Sequence, residues 1–375
     1  MATPALALTP ARPPDVRMPT GPRRPWLAGL GPNWYAAVMG TAIVANAAAA
    51  LPIRPAGLIG LGELFWALSA VALVVLVGAR AVHLTRYRAE ARSQLLDNPA
   101  TAVFYGCPPM ALLAVGGATL TLGARVIGTG PAVPAAAVLW TAGTVYALAV
   151  AVGIPYLMIT RHRVRAHRAD PTWLLPVVAP VVAAAVGPAL VAHLPAGGSR
   201  RAMLYACYGL LGAGLAATLV LLPVVATGLL HGRPLAPVLT PSLFLVLGPL
   251  GQSVTATGQL ADAARSAAPG LAPAALALSE LYGVAVLGAA MLWLPAALAA
   301  NLRARRAGMP FAMTWWAFTF PVGTCVTGAA GLARHTGFAG FTVLAAGLFL
   351  LLLAAWAVAA AGTVRGPVAG RLHRA

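Results

Sequence analysis

The sequence contains no lysine; all 25 basic residues are arginine. A phosphate-cradling loop of the Walker A kind needs its lysine, so ATP-driven work by this chain alone is excluded. A Schiff base to retinal or pyridoxal phosphate is excluded too, because the amine that forms it is missing. Acids are scarcer still, at seven. Charged residues make up 9% of the chain, where a soluble domain carries about 25%. With 60% hydrophobic residues and a mean hydropathy of +0.84, the chain cannot clothe a water-facing surface. It reads as a multi-pass protein of the lipid bilayer.

Other absences narrow the chemistry. Cys107, Cys207 and Cys325 lie far apart in apolar runs, with no CxxC or metal spacing. The histidines fall at span ends, in loops or in the tail, so no haem or metal pair lies within the membrane. No span carries arginine at every third position, as a voltage sensor does. No Ser-His-Asp set or carboxylate pair is visible. The expectation is no enzyme, no cofactor and no resident metal. The net charge of +18 does not point to nucleic acid, because the arginines fall between apolar runs, where they orient a membrane protein.

A hydrocarbon core needs about 20 apolar residues per helix. Ten such segments occur, at 33–51, 58–80, 101–124, 134–159, 172–194, 203–230, 240–263, 271–300, 311–333 and 338–363. They form one membrane domain over 31–364. Before it, residues 1–30 are Pro-rich and carry Arg12, Arg17, Arg23 and Arg24; their only apolar piece, "ALAL", is too short for a signal peptide. This stretch is expected to be a disordered cytosolic tail, with Met18 an alternative start. Residues 365–375 form a basic cytosolic tail. An even number of spans puts both ends on one side. Nineteen arginines fall on that side and six on the other: Arg54, Arg125, Arg200, Arg201, Arg265 and Arg334. Arginine bias marks the cytosolic face, so both termini are expected in the cytosol and the chain in the plasma membrane.

Helix breakers alternate along the series. Odd spans hold Pro108 and Pro109, Pro176 and Pro180, Pro249 between Gly248 and Gly251, and Pro321; the first carries Gly40. Pro155, Pro223 and Pro295 of the even spans lie nearer the ends. Polar residues follow the odd spans too, among them Thr41, Asn46, Thr119, Thr121, Gln252, Thr255 and Thr324. A proline in a helix interior costs roughly 3 kcal/mol and frees a carbonyl. In lipid such groups must be satisfied by protein or water. The pattern therefore predicts five odd helices lining a pore and five even helices outside.

The predicted pore face has hydroxyls, amides and helix ends but few charges. Helix N-termini carry partial positive charge, which favours an anion, and conduction requires that binding stay weak. The candidate lining residues are Gly40, Thr41, Asn46, Pro109, Pro180, Gly248, Pro249, Gln252 and Thr324. Phe320 adjoins the break at Pro321, where its ring can plug a narrow pore; packing between helices is the plainer reading. Trp315 and Trp316 read as interface anchors. Glu63 starts the second span and Glu280 lies inside the eighth. They read as interfacial or paired structural acids, or as proton-coupling sites. The partners implied are small inorganic or organic anions.

Five motifs carry a family resemblance. "GPNWYAAVMGTAIVANAAAALP" (31–52), "DNPATAVFYGCPPM" (97–110), "PTWLLPVVAPVVAAAVGPAL" (171–190), "SLFLVLGPLGQS" (242–253) and "WWAFTFPVG" (315–323) resemble, in order, the odd helices of the tellurite-resistance/dicarboxylate transporter family, which includes slow anion channels. The resemblance implies ten helices as five hairpins around a pseudo-fivefold axis, odd helices inside, and a homotrimer with one pore per subunit. It implies that Phe320 is the pore gate. Members include plant slow anion channels, bacterial tellurite-resistance proteins, and yeast malate permeases and sulfite pumps. The expected function is passage of small anions through a pore constricted by a phenylalanine. The alternative is a proton-coupled C4-dicarboxylate (malate) or sulfite carrier, with Glu280 or Glu63 titrating. Ala42 departs from the family pattern, which often has a second glycine after Gly-Thr.

Overall fold

The computed structural model describes residues 26–232 and 234–368. Residues 1–25, with Met18, and 369–375 lie outside them, so most of both expected tails does too, as does Arg233. Among the described residues the chain is helical and has no strand. We label ten segments: α1 (Tyr35–Ala50), α2 (Leu58–Arg86), α3 (Pro99–Ile127), α4 (Thr129–His162), α5 (Pro171–His193), α6 (Gly198–His231), α7 (Pro237–Ala267), α8 (Pro269–Arg306), α9 (Met313–Thr336) and α10 (Ala339–Arg365). Nine of them, α2 to α10, are long and apolar enough to cross a membrane. α1 has 16 residues, about 24 Å at 1.5 Å per residue, short of a roughly 30 Å hydrocarbon core.

Burial separates the segments into two classes. In the most apolar stretch of each, 61–94% of residues are buried in α3, α5, α7 and α9, against 22–33% in α2, α4, α6, α8 and α10. α1 belongs with the buried class. The inner segments close a ring of neighbours: α1 packs on α3, α3 on α5, α5 on α7, α7 on α9, and α9 back on α1. Their opening turns also touch in that order, so the five run parallel. The even segments pack outside and expose large apolar side chains such as Val74, Leu219, Leu292 and Leu350. That is the surface a bilayer solvates.

Apart from Pro180, the inner-segment prolines named above do not free carbonyls in mid-helix as expected. Most stand where a 3-10 stretch becomes α-helix. Pro108 follows the 3-10 turn Val103–Gly106, Pro249 follows Pro237–Val246, and Pro321 follows Met313–Phe318. Proline is tolerated in the first helical turn because its missing N–H has no partner there anyway. Hydrogen bonds run through the junction in α9: Thr319 N–H donates to Trp316 O and Gly323 N–H to Thr319 O. Pro180 lies inside the continuous helix Leu174–Val186.

Residues 27–30, read as tail in the sequence, are packed. Leu30 is buried. The Arg80 guanidinium donates to the Leu30 carbonyl, to Gln94 Oε1 (3.0 Å) and to the Tyr105 hydroxyl (2.8 Å). His83 Nδ1 lies 2.7 Å from the Leu27 carbonyl. These contacts tie the approach to α1 onto α2. The reason is local: Ala28 and Leu30 are apolar, and two buried polar groups of α2 need acceptors.

Candidate functional site

Inside the inner ring a cavity of about 300 Å³ opens toward the ends at which the inner helices finish. Each inner segment contributes to it. α7 presents Gln252, Thr255 and Gln259, spaced three and four residues apart on one helix face. α1 adds Ile43 and Asn46, α3 Gly117 and Thr121, and α9 Phe320 and Thr327. The α5 wall is apolar, with Val182 and Val186.

Phe320 forms the floor. It is 2% exposed and stands at the first residue of the α-helical part of α9. On its far side lies an apolar pocket of about 20 Å³ lined by Met39, Met110, Leu175, Leu245 and Gly248 among others. Such a space holds about one water. Phe320 is the one residue that lines both spaces. Beyond, a second pocket of about 20 Å³ shares Met39, Leu175 and Leu245 with the first and reaches Ala36, Thr172 and Thr314 near the start of the inner helices. The ring axis thus runs from a wide polar cavity, through one aromatic ring, into a tight apolar neck.

The polar lining is largely self-satisfied. Asn46 Nδ2 donates to Ala42 O and to Ala114 O, both at 2.9 Å, bridging α1 to α3. Thr121 Oγ1 donates to Gly117 O at 3.0 Å, and Thr327 Oγ1 to Thr324 O at 3.0 Å. Thr and Ser side chains in helices commonly turn back to carbonyls of the preceding turn. Gln252 differs: it is 4% exposed, and its Oε1 is buried without a partner among the described residues. Two cations also line the cavity, Arg54 and Arg334. Sequence reading assigned both to loops. Their signal was position: each stands at the finishing end of an odd span.

The sequence candidates divide. Asn46, Gln252 and Phe320 line the cavity, and Gly248 lines the neck. Gly40, Thr41, Pro109, Pro180, Pro249 and Thr324 line neither. Gly40 faces α9, where a Cβ would stand 2.3 Å from Thr319 Oγ1 and 2.7 Å from the Trp316 ring. Thr41 donates to Ala37 O and accepts from Trp356 Nε1 of α10. The Pro109 carbonyl abuts Gly143 of α4. Thr324 Oγ1 donates to Pro321 O and packs on Gly251 of α7. Pro180 and Pro249 are buried within α5 and α7. Ala42 is fully buried and is not a cavity residue. Glu63 pairs with Arg125 at 3.1 Å on the outer side, and Glu280 is half-buried on α8; neither lines the cavity.

Trp315 and Trp316 are not lipid-facing anchors. Both are buried. Trp316 Nε1 donates to Thr363 Oγ1 of α10 at 2.9 Å, and Trp315 Nε1 to Pro310 O at 3.2 Å. They pin the 3-10 stretch that precedes Phe320. Among the described residues no His, Cys, Asp and Glu gather as a metal site. The arrangement is a cavity floored by Phe320, with two small pockets beyond it.

Comparison with known proteins gives matches over most of the chain. The family model described as voltage-dependent anion channel matches residues 29–364. The chain is 28% identical over 353 residues to the sulfite efflux pump SSU1 of Arthroderma otae, covering 91% of this chain and 92% of that protein. It is 26% identical to the SSU1 sulfite efflux pump of Trichophyton rubrum, with the same coverage. It is 25% identical over 351 residues to an uncharacterized transporter of Methanocaldococcus jannaschii, covering 92% of this chain and 95% of that one.

Proposed function

The chain belongs to the voltage-dependent anion channel family, and on that premise we propose that it passes small anions across a membrane through the inner ring, with Phe320 as the gate. The observation that carries this reading is that Phe320 alone borders both the polar cavity and the apolar neck. An anion entering the cavity keeps most of its water. To go further it must displace the ring and shed part of its hydration in the neck. Gln252 lines the same cavity as an uncharged amide, able to replace some of that water without holding the ion too tightly.

Ten spans complete the reading: α1, screened from lipid by its neighbours, crosses with the other nine. The ring is then a pseudo-fivefold arrangement of five hairpins, odd helices inside. The arginine bias places both termini in the cytosol of a plasma-membrane protein, so the wide cavity opens outward. One pore per subunit in a homotrimer agrees with this plan.

A second reading has a specific support. The fungal relatives are named as sulfite efflux pumps, which favours sulfite as cargo; the second reading is a proton-coupled carrier of sulfite or a C4-dicarboxylate. Glu280 and Glu63 would have to act from outside the cavity. Reconstituted vesicles separate the two. Channel-type passage gives chloride, nitrate, malate or sulfite flux that persists without a pH gradient. Flux of malate or sulfite that saturates, collapses without the gradient and is lost in Glu280→Gln establishes the carrier. Absence of flux for all four anions overturns both.

A further inference from the structure

Of the residues lining the cavity, Arg54 and Arg334 alone carry a charge, and both are positive. Both lie at its mouth and are bound to backbone rather than to acids. The Arg54 guanidinium donates to Ala49 O (3.1 Å), to Ala48 O (3.5 Å) and to Leu51 O. Arg334 Nη1 donates to Ala50 O (3.2 Å) and Ala330 O (3.3 Å). All but one of these acceptors belong to the last turn of α1 and the residue that ends it.

A helix C-terminus carries about half a negative charge. Left bare at the cavity mouth, the end of α1 would repel an anion. Two full positive charges reverse that field. Neither arginine has an ion-pair partner among the described residues. The carboxylate that acts on Arg334 through space is Asp262, and it is already engaged by His335 Nε2 at 3.0 Å and Arg265 at 3.7 Å. Each guanidinium has five N–H donors in a planar fork, and backbone contacts use only part of them. Arg334 makes its bonds through Nη1, leaving Nη2 and Nε for a ligand.

We infer that Arg54 and Arg334 form an anion-capture site at the cavity mouth, selective for small oxyanions and carboxylates over halides. The selectivity follows from geometry: a guanidinium fork matches two oxygens of one anion, whereas a halide offers one centre. Capture is loose, because both arginines are exposed and water screens them. A loosely held anion is delivered toward Gln252 and Phe320 rather than trapped. The inference rests on the anion-passage reading and adds to it the place and chemistry of first contact.

The test uses full-length protein in vesicles. Its orientation is fixed by impermeant thiol labelling of a cysteine placed at Ala56, on the face that carries Arg54. Sulfite, malate and chloride flux are measured from each face for wild type, Arg54→Gln, Arg334→Gln and the double variant. The expected result is one-sided. From the Arg54 face the half-saturating concentration of sulfite and malate rises about 3- to 10-fold in the double variant, as expected for losing charge-assisted contacts at an exposed site. The chloride value rises less and saturating flux from the Arg54 face stays within about twofold; low-concentration flux then falls equally in both directions, as detailed balance requires, while the half-saturating concentration on the opposite face does not move. The difference shrinks as ionic strength increases, and the double lysine variant restores chloride handling better than oxyanion handling. Unchanged half-saturation, or an equal rise in it on both faces as expected if the arginines merely cap α1, overturns the capture site. Wild-type vesicles that carry no anion overturn the passage reading itself.

Discussion

The hydroxyl oxygens of Thr255 and Thr327 lie 2.7 Å apart, tying α7 to α9 in the cavity wall. One turn away Gly251 lets the two backbones approach: a Cβ there would stand 2.6 Å from Cys325 N and 2.6 Å from Thr324 Oγ1. The first is a backbone atom and cannot rotate aside. Gly251→Ala is therefore expected to destabilise the fold by about 1–3 kcal/mol, the usual range for overpacking. Thermal unfolding in detergent, read beside Thr327→Val as a milder control, checks this. Equal melting of Gly251→Ala and wild type would show that the crossing is looser than described.

Phe320 is nearly fully buried between cavity and neck. Moving its ring off a rotamer minimum costs roughly 0.5–1.5 kcal/mol, about a 2- to 12-fold penalty on passage. Phe320→Ala is expected to raise anion flux by at least that factor, and Phe320→Leu by less. Flux in reconstituted vesicles decides, and an unchanged rate would remove the gate from Phe320.

Gln252 brings a neutral amide to the cavity that Phe320 also lines. Gln252→Glu adds a carboxylate of nearly the same size. Repulsion between two unit charges about 4 Å apart is roughly 1–4 kcal/mol between bulk water and a protein surface. Anion flux is expected to drop about tenfold or more at neutral pH and to recover partly in acid, where the new group protonates. Gln252→Met, which keeps size without charge, should lower flux less.

Arg80 holds the Leu30 carbonyl, Gln94 and the Tyr105 hydroxyl. Arg80→Met keeps the apolar stem and removes every donor. Leaving buried acceptors unpaired costs about 1–3 kcal/mol. The expected result is a lower melting temperature together with faster proteolysis around residues 26–31. Melting without that local change would place the loss elsewhere.

Asp170 caps the start of α5 by accepting from Thr172 N and Oγ1. Burial pushes its carboxyl above the ordinary range, against the lowering effect of those hydrogen bonds. An acid whose folded-state pKa is raised adds stability below the unfolded value and loses it as pH rises through the folded value. Asp170→Asn keeps a capping acceptor and removes the ionisation. It is expected to melt at or above wild type at pH 7, and the gap should close or reverse as pH falls toward about 4. Melting curves at three pH values test the sign; a gap that widens in acid would refute the assignment.

Much of this was legible in the chain. The alternation of inner and outer segments was readable because buried spans tolerate proline and polar residues, whereas spans facing lipid must satisfy every backbone group themselves. Five ordered motifs were enough for the family. The azimuth of individual side chains was not readable. Thr41 and Thr324 share their spans with Asn46 and Phe320, yet they face other helices, because a hydroxyl can satisfy itself on its own helix and needs no water. Trp315 and Trp316 looked like interface anchors by composition, and the packing of α10 buries them.

By itself, then, the sequence determined that the chain lives in a bilayer, how its apolar segments alternate, and which family it joins. These depend on composition and period, which neighbours along the chain carry. Only the tertiary structure decided that Phe320 separates two spaces, that Gln252 keeps a buried amide oxygen unpaired, and that Arg54 and Arg334 crown one cavity. Arg54 and Arg334 are 280 residues apart in the chain and meet because α9 packs back on α1. No local pattern records which ends a closed ring will bring together.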